Sequence, residues 1–197
     1  MSRILFTIGH STHSLSHFCE LLKGHHITAV ADVRSVPYSR RNPEFNREVL
    51  QAHLEQRGIV YTFLGAELGG RPSSPDCYLD GRVLYDRLAE THLFRTGLER
   101  VRLGAERYRL ALVCAEADPI QCHRTILVCR RLKGTGLTIQ HILPTGMLES
   151  QDESEQRLLR LNNLSCDDLF LRADEVLEEA YRLQESRIAY TPLRGSE

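Results

Sequence analysis

The chain has 197 residues, 42% of them hydrophobic and 26% charged, which is ordinary for a folded domain and enough to bury a real core. Its 25 Lys and Arg nearly balance its 26 Asp and Glu, so the formal net charge is −1. No global field therefore draws it to nucleic acid or an acidic membrane, and anion binding has to come from locally clustered arginines. The first apolar stretch, 4–8, is too short for a secretory leader, and no run approaches a membrane span. Cys19, Cys77, Cys114, Cys122, Cys129 and Cys166 are scattered over a chain that is large for a disulfide scaffold. They read as reduced thiols of a cytoplasmic protein.

In chain order, 4–8 is a short β-rich run closed by Gly9, which predicts a buried strand. Ser14 is placed to cap a helix carrying Leu15, Phe18, Leu21 and Leu22 and ended by Gly24. A second strand is expected over 28–33, followed by a loop over 34–43 marked by Pro37 and Pro43. Asn46 is placed to cap a helix with Val49, Leu50 and Leu54, closed by Gly58, before a third strand over 59–64. The stretch 65–81 reads as a long polar loop with Gly69, Gly70, Pro72 and Pro75, a length more often functional than idle. One or two helices follow within 82–103, then a fourth strand over 109–114, a loop to Gln121, a helix over 122–133 and a fifth strand over 138–143.

Alternating strands and helices predict an α/β fold, a mostly parallel sheet of about five strands covered on both faces. Residues 1–145 would form this domain. Residues 146–197, acidic and turn-like over 149–155 and then helical in spacing through Leu169, Val176, Leu177, Ala180 and Leu183, would form a helical extension packing on the domain or on a partner, a second copy included. In such sheets ligands bind outside the carboxyl ends of the strands. Those ends carry polar groups here, and four segments stand out.

The first is Gly9-His10-Ser11-Thr12-His13-Ser14, between a strand and a helix start. His10 and Thr12 can complete a pocket there, helped by free helix N–H groups, or the segment simply caps the helix. The second contains Asp32, Arg34, Ser39, Arg40, Arg41 and Asn46. Its guanidinium groups suit bidentate capture of phosphate or carboxylate, with Asp32 as a base or an orienting partner, or Asp32 and Arg34 form a structural ion pair in a solvated loop. The third is Glu67-Leu68-Gly69-Gly70-Arg71, where paired glycines permit tight turns and Arg71 is a further anion contact.

The fourth runs from Cys114 and Glu116 to Cys122-His123-Arg124, again from strand to loop to helix start. A thiol facing a helix N-terminus can act as a nucleophile, Glu116 as a general base, and His123 and Arg124 can meet an anion; or both cysteines are small buried hydrophobes. Cys114, Cys122, His123, His10 and His13 can also converge on a metal ion. The spacing C-x7-C-H lacks the close cysteine pair of zinc sites, however, and no metal ligand is assigned.

Together these segments resemble one family closely. Thr7 to Thr12, Asp32-Val33-Arg34-Ser35 with Pro37, Ser39, Arg40, Phe45 and Asn46, Glu67 to Arg71, and Cys114-Ala115-Glu116 followed by Cys122-His123-Arg124 are similar to the family called domain of unknown function 488. The resemblance covers about 3–143 and implies a Rossmann-like three-layer α/β sandwich, without implying a reaction. A looser similarity joins the strand Val30-Ala31-Asp32-Val33-Arg34 and the Cys114 layout to the rhodanese and cysteine-phosphatase folds. Their compact C-x5-R loop is absent, because the sixth residue after Cys114 is Ile120 and Arg124 comes tenth.

The sequence thus predicts an enzyme acting on a phosphate-bearing ligand, a small molecule such as a nucleotide or a nucleic acid. Asp32, Cys114, Glu116 and His123 are the catalytic candidates. His10, Thr12, Arg34, Ser39, Arg40, Arg41, Asn46, Gly69, Gly70, Arg71, Cys122 and Arg124 are the ligand-binding candidates. The alternatives are a rhodanese-like thiol enzyme using Cys114 or Cys122, and a non-catalytic nucleic-acid or small-anion binding module. The sequence names no cofactor.

Overall fold

The structure is a computed structural model that describes residues 3–165 and 172–192. Cys166 and Leu169 lie outside the described residues. The elements run β1 (Arg3–Gly9), α1 (Leu15–Gly24), β2 (Ala29–Asp32), α2 (Arg47–Glu55), β3 (Val60–Phe63), α3 (Gly65–Leu68), a small hairpin of β4 (Tyr78–Leu79) and β5 (Arg82–Val83), α4 (Tyr85–Glu90) and α5 (His92–Arg107). Then come β6 (Leu110–Cys114), a π-helical segment (Arg124–Cys129) running into α6 (Arg130–Leu132), β7 (Leu137–Ile142), β8 (Leu148–Ser150), α7 (Gln151–Leu161) and α8 (Ala173–Ile188).

The six-stranded sheet has the order β3-β2-β6-β1-β7-β8. β3, β2, β6, β1 and β7 pair in parallel, and β8 runs antiparallel to β7. β2 and β6 are buried at every residue because helices cover both faces, which is why they read as continuous apolar runs. Alternate side chains divide the core. Phe6, Ile8, Val30, Ala111 and Val113 pack with Phe18 and Leu22 of α1 and Leu50 and Leu54 of α2. Leu5, Ala29, Ala31, Leu110 and Leu112 pack on the other face with Phe94 and Val101 of α5, Ile126 of the π-helical segment and Val176, Ala180 and Tyr181 of α8. The result is a mostly parallel α/β sandwich of three layers, as the sequence predicts.

Local chemistry sets the boundaries. Ser14 caps α1 by accepting from the His17 N–H. Asn46 occupies the equivalent position before α2, but its Oδ1 accepts from the Ser39 N–H at 2.7 Å, so it ties the preceding loop instead of capping the helix. The expected long loop over 65–81 contains α3 and the start of the β4–β5 hairpin. The expected acidic turn over 149–155 is the end of β8 and the start of α7. There Ser150 and Glu153 form a reciprocal capping box, a signature the acidic composition concealed.

β1 and β6 are neighbours, yet the chain leaves β1 across β6 towards β2 and leaves β6 across β1 towards β7. This reversal opens a crevice at the carboxyl ends of the central strands, where open α/β sheets bind ligands. No helix among the described residues is long and apolar enough to cross a membrane.

A buried polar chain crosses the sheet. His141 on β7 is fully buried, with Thr7 Oγ1 2.8 Å from Nδ1 and Gln151 Oε1 3.1 Å from Nε2. Burial and the nearby Arg124 guanidinium push its pKa down to about 3. The folded state therefore holds it neutral, while the unfolded chain takes up a proton below the ordinary value of 6.5. Stability is present above that value and is lost as pH falls towards the folded pKa, at up to about 1.4 kcal/mol per pH unit for one group. The melting temperature should fall between pH 6.5 and 4.5, and less steeply in His141→Gln. Equal slopes in the two proteins would contradict this.

Candidate functional site

The crevice is a cleft of about 280 Å³. Arg34 and Ser35 line it from the end of β2, Gly70 and Arg71 from the loop after α3, and Cys114 and Glu116 from the end of β6. His123, Tyr85 and the C-terminal Ile188 and Tyr190 complete the wall.

Its base is a cluster of four side chains. Cys114 Sγ and Cys122 Sγ lie 3.2 and 2.9 Å from Glu116 Oε2, so both thiols donate to one carboxylate oxygen. His123 Nδ1 is 3.6 Å from Cys114 Sγ and 3.9 Å from Cys122 Sγ, and its Nε2 donates to the Val33 carbonyl at 3.0 Å. That bond fixes the ring and turns Nδ1 towards the sulfurs. One donor atom from each of the four residues lies within 4.8 Å of every other. Among the described residues, no other group of three or more His, Cys, Asp or Glu is close enough to share an ion. Both sulfurs are buried, whereas Glu116 is open to the cleft.

Each of these groups is shifted by its neighbours. Burial and the neighbouring Cys122 raise Cys114. Burial opposes ionisation of Cys122 too, but the Cys114 hydrogen bond and the Arg124 charge outweigh it and lower its pKa. Burial raises Glu116, and the Cys122 sulfur beside it raises it further. Burial disfavours charge on His123, yet Cys122 reverses the balance and raises it.

The C-x7-C-H spacing closes in space because the intervening loop is built to turn. Asp118 caps a 3-10 turn over Pro119–Gln121 by accepting from the Ile120 N–H, and its carboxylate takes both Arg157 guanidinium nitrogens at 2.9 and 2.7 Å. Gly9 is required on the other side, since a Cβ there would stand 1.8 Å from the Glu116 carbonyl oxygen. The close approach zips the ends of β1 and β6, with the His10 N–H on the Cys114 carbonyl at 2.9 Å and the Ser11 N–H on the Ala115 carbonyl at 2.8 Å.

Arg124 is fully buried and is occupied by backbone and hydroxyl contacts. Nη1 donates to the Glu116 carbonyl at 2.5 Å, Nη2 to the Ala117 carbonyl at 3.1 Å and Nε to Thr7 Oγ1 at 3.3 Å. Arg34 is buried and paired with Asp32, Nε to Oδ1 at 2.9 Å and Nη2 to Oδ2 at 2.6 Å. Tyr61 Oη and the Arg34 N–H fill more of the same carboxylate, at 2.8 and 3.1 Å. His10 stacks on Phe45 at 4.3 Å and lies 3.3 Å from Arg34 Nη1, and burial followed by that cation pushes its pKa down to about 4.

The remaining candidates divide. Ser39 Oγ accepts from the Arg41 and Asn42 N–H groups and shapes the loop that carries Arg40 and Arg41, both exposed and outside the cleft wall. Thr12 is exposed in the turn after β1, also away from the wall. Gly69 closes on Ser35, Gly70 packs against the His123 ring, and Arg71 stands exposed over the Tyr190 ring at 4.4 Å. Arg71 makes no side-chain ion pair among the described residues. Glu67 faces away and pairs with Arg100. Tyr85, Ile188 and Tyr190 carry no local motif in the sequence, because they reach the cleft from the start of α4, the end of α8 and the segment just after it.

Fold and cleft together define a mostly parallel α/β protein with a thiol-, imidazole- and carboxylate-bearing site at its topological switch point. The chain belongs to the family described as Domain of unknown function DUF488, whose model matches residues 14–130. No curated protein matches the chain, and no solved structure does.

Asp32 anchors the buried Arg34, so Asp32→Ala leaves a desolvated guanidinium and an unpaired Tyr61 hydroxyl. Removing one partner of a buried pair costs about 3–5 kcal/mol. Chemical denaturation should show a loss of that size, and a loss below about 1 kcal/mol would contradict the assignment of Asp32 as a structural anchor.

Proposed function

We propose that this chain is an enzyme acting on a small ligand with an anionic group, phosphate among the candidates, with Cys114, Glu116, Cys122 and His123 as its reacting groups. The observation that carries this reading is their convergence within 4.8 Å at the foot of a cleft outside the strand ends. A structural domain has no need to gather two thiols, an imidazole and a carboxylate there. Arg34 and Arg124 are engaged by protein groups, which leaves Arg71 as the cleft-lining guanidinium able to receive the anion. Glu116, exposed to the cleft and next to both thiols, is the proton acceptor, and His123, fixed through Val33, presents its second nitrogen to the same point.

A thiol-transfer reaction is a second reading favoured by one observation: Cys114 itself lines the cleft. It requires Cys114→Ser to abolish turnover, whereas an acid–base reaction tolerates serine there.

The test is a thermal-shift screen with nucleotides, sugar phosphates, carboxylates and thiosulfate. A ligand at a hundredfold excess over its Kd adds about 2.7 kcal/mol. For a chain of this size that moves the melting temperature by roughly 5–10 °C. Arg71→Ala should remove the shift. Glu116→Gln should keep it while lowering turnover by about 100-fold or more. A shift unchanged in Arg71→Ala, or turnover unchanged in Glu116→Gln, would contradict the proposal.

A further inference from the structure

The same cluster has the composition and dimensions of a metal site, and we propose that Cys114 Sγ, Cys122 Sγ, His123 Nδ1 and Glu116 hold a zinc ion at the foot of the cleft. The inference rests on the reading of this cluster as the working centre and names its cofactor. Zinc binds thiolate at about 2.3 Å and imidazole or carboxylate at about 2.0–2.2 Å, so a tetrahedral site has ligand–ligand edges of about 3.4–3.8 Å. The edges here are 3.6 and 3.9 Å from His123 Nδ1 to the two sulfurs and 3.2 and 2.9 Å from Glu116 Oε2 to the same sulfurs. An ion entering the centre needs the carboxylate to move outward by a fraction of an ångström, and Glu116 stands on the open side.

Three further features match a metal site. The outer nitrogen of His123 is bonded to the Val33 carbonyl at 3.0 Å, the arrangement that orients ligating imidazoles and leaves the other nitrogen bare. The backbone N–H of Arg124 donates to Cys122 Sγ at 3.4 Å, which supports negative charge on that sulfur. Charge also balances. Two thiolates and a carboxylate against a divalent ion leave one negative charge, and the adjacent buried Arg124 guanidinium, which has no carboxylate partner among the described residues, supplies one positive charge. Two sulfurs with one imidazole select a thiophilic ion over magnesium or calcium. The thiol protons pass to solvent as the two sulfurs bind zinc as thiolates, so binding liberates acid.

The experiment uses the full chain, reduced and stripped with a chelator, titrated with zinc chloride against a chromophoric competitor and then with cobalt(II) as an optical stand-in. One ion should bind per chain. The cobalt form should show thiolate-to-metal charge transfer in the near ultraviolet and the intense visible bands of tetrahedral cobalt. Cys122→Ala should lose roughly half the charge-transfer intensity, since one of two thiolates is gone. His123→Ala should weaken zinc binding at least tenfold. Cys129→Ala, a buried thiol outside the cluster, should change neither readout. Melting curves of each metal-free variant separate a lost ligand from a lost fold. No binding to the reduced, folded chain would overturn the assignment, as would a cobalt spectrum unchanged in Cys122→Ala. Repeating the anion screen on stripped and zinc-loaded protein separates the two claims. Zinc without an anion response leaves a metal site and removes the proposed substrate class; an anion response without zinc leaves the enzyme reading and removes the metal.

Discussion

A buried guanidinium with no carboxylate partner among the described residues holds this structure's working end together. Arg124 reaches from the start of the π-helical segment to the Glu116 and Ala117 carbonyls and to Thr7 on β1. It therefore fixes the loop after β6 against the neighbouring strand and gives that loop the shape in which Glu116 meets Cys114 and Cys122. Burying an uncompensated cation is costly, and the cost is offset only where hydrogen bonds are complete and negative charge lies near. The Cys122 sulfur, whose pKa is lowered, and the Glu116 carboxylate supply that charge. The π-helical geometry belongs to the same constraint, since such segments gather where a side chain must be re-aimed at a functional site.

A second web supports the first. Asp32 gathers Arg34 and Tyr61, Arg34 reaches His10, and His10 lies flat on Phe45. This places the ends of β1 and β2 in fixed relation to each other. Val33, between Asp32 and Arg34, is thereby positioned to receive the His123 ring nitrogen. The two arginines that most resemble anion receptors in the sequence are thus struts, and the catalytic role expected of Asp32 competes with a carboxylate already filled by four donors. Arg71, less conspicuous in sequence, is the cleft-lining guanidinium that has no carboxylate partner among the described residues.

The strands and the first helix were legible because burial on both faces and the Ser14 cap leave continuous apolar runs and a clear start signal. The gathering of Cys114, Glu116, Cys122 and His123 was half legible. Their place at a strand end was readable, but their mutual approach was not, because a seven-residue gap closes only through the Asp118-capped turn and the Arg157 contact from α7. β8 has no signature in the sequence because it is only three residues long and is defined by pairing with β7 rather than by its own pattern. Ile188 and Tyr190 form part of the cleft wall by tertiary packing of the C-terminal segment, which no local periodicity encodes.

The account's central claim is that the chemistry sits where Cys114, Glu116, Cys122 and His123 meet, and the rates at which the cysteines are alkylated in the native, metal-stripped protein test it most directly. Cys19 is the more exposed thiol, at 5% against 2% for Cys114 and 1% for Cys122, so exposure alone puts Cys19 first. The account predicts the opposite order, resolved by peptide mass spectrometry: Cys122, which takes the Arg124 N–H and meets Glu116 and His123 at the foot of the cleft, is modified first, ahead of Cys19, Cys77 and Cys129. Modification led by Cys19, with Cys114 and Cys122 as slow as Cys129, would contradict it.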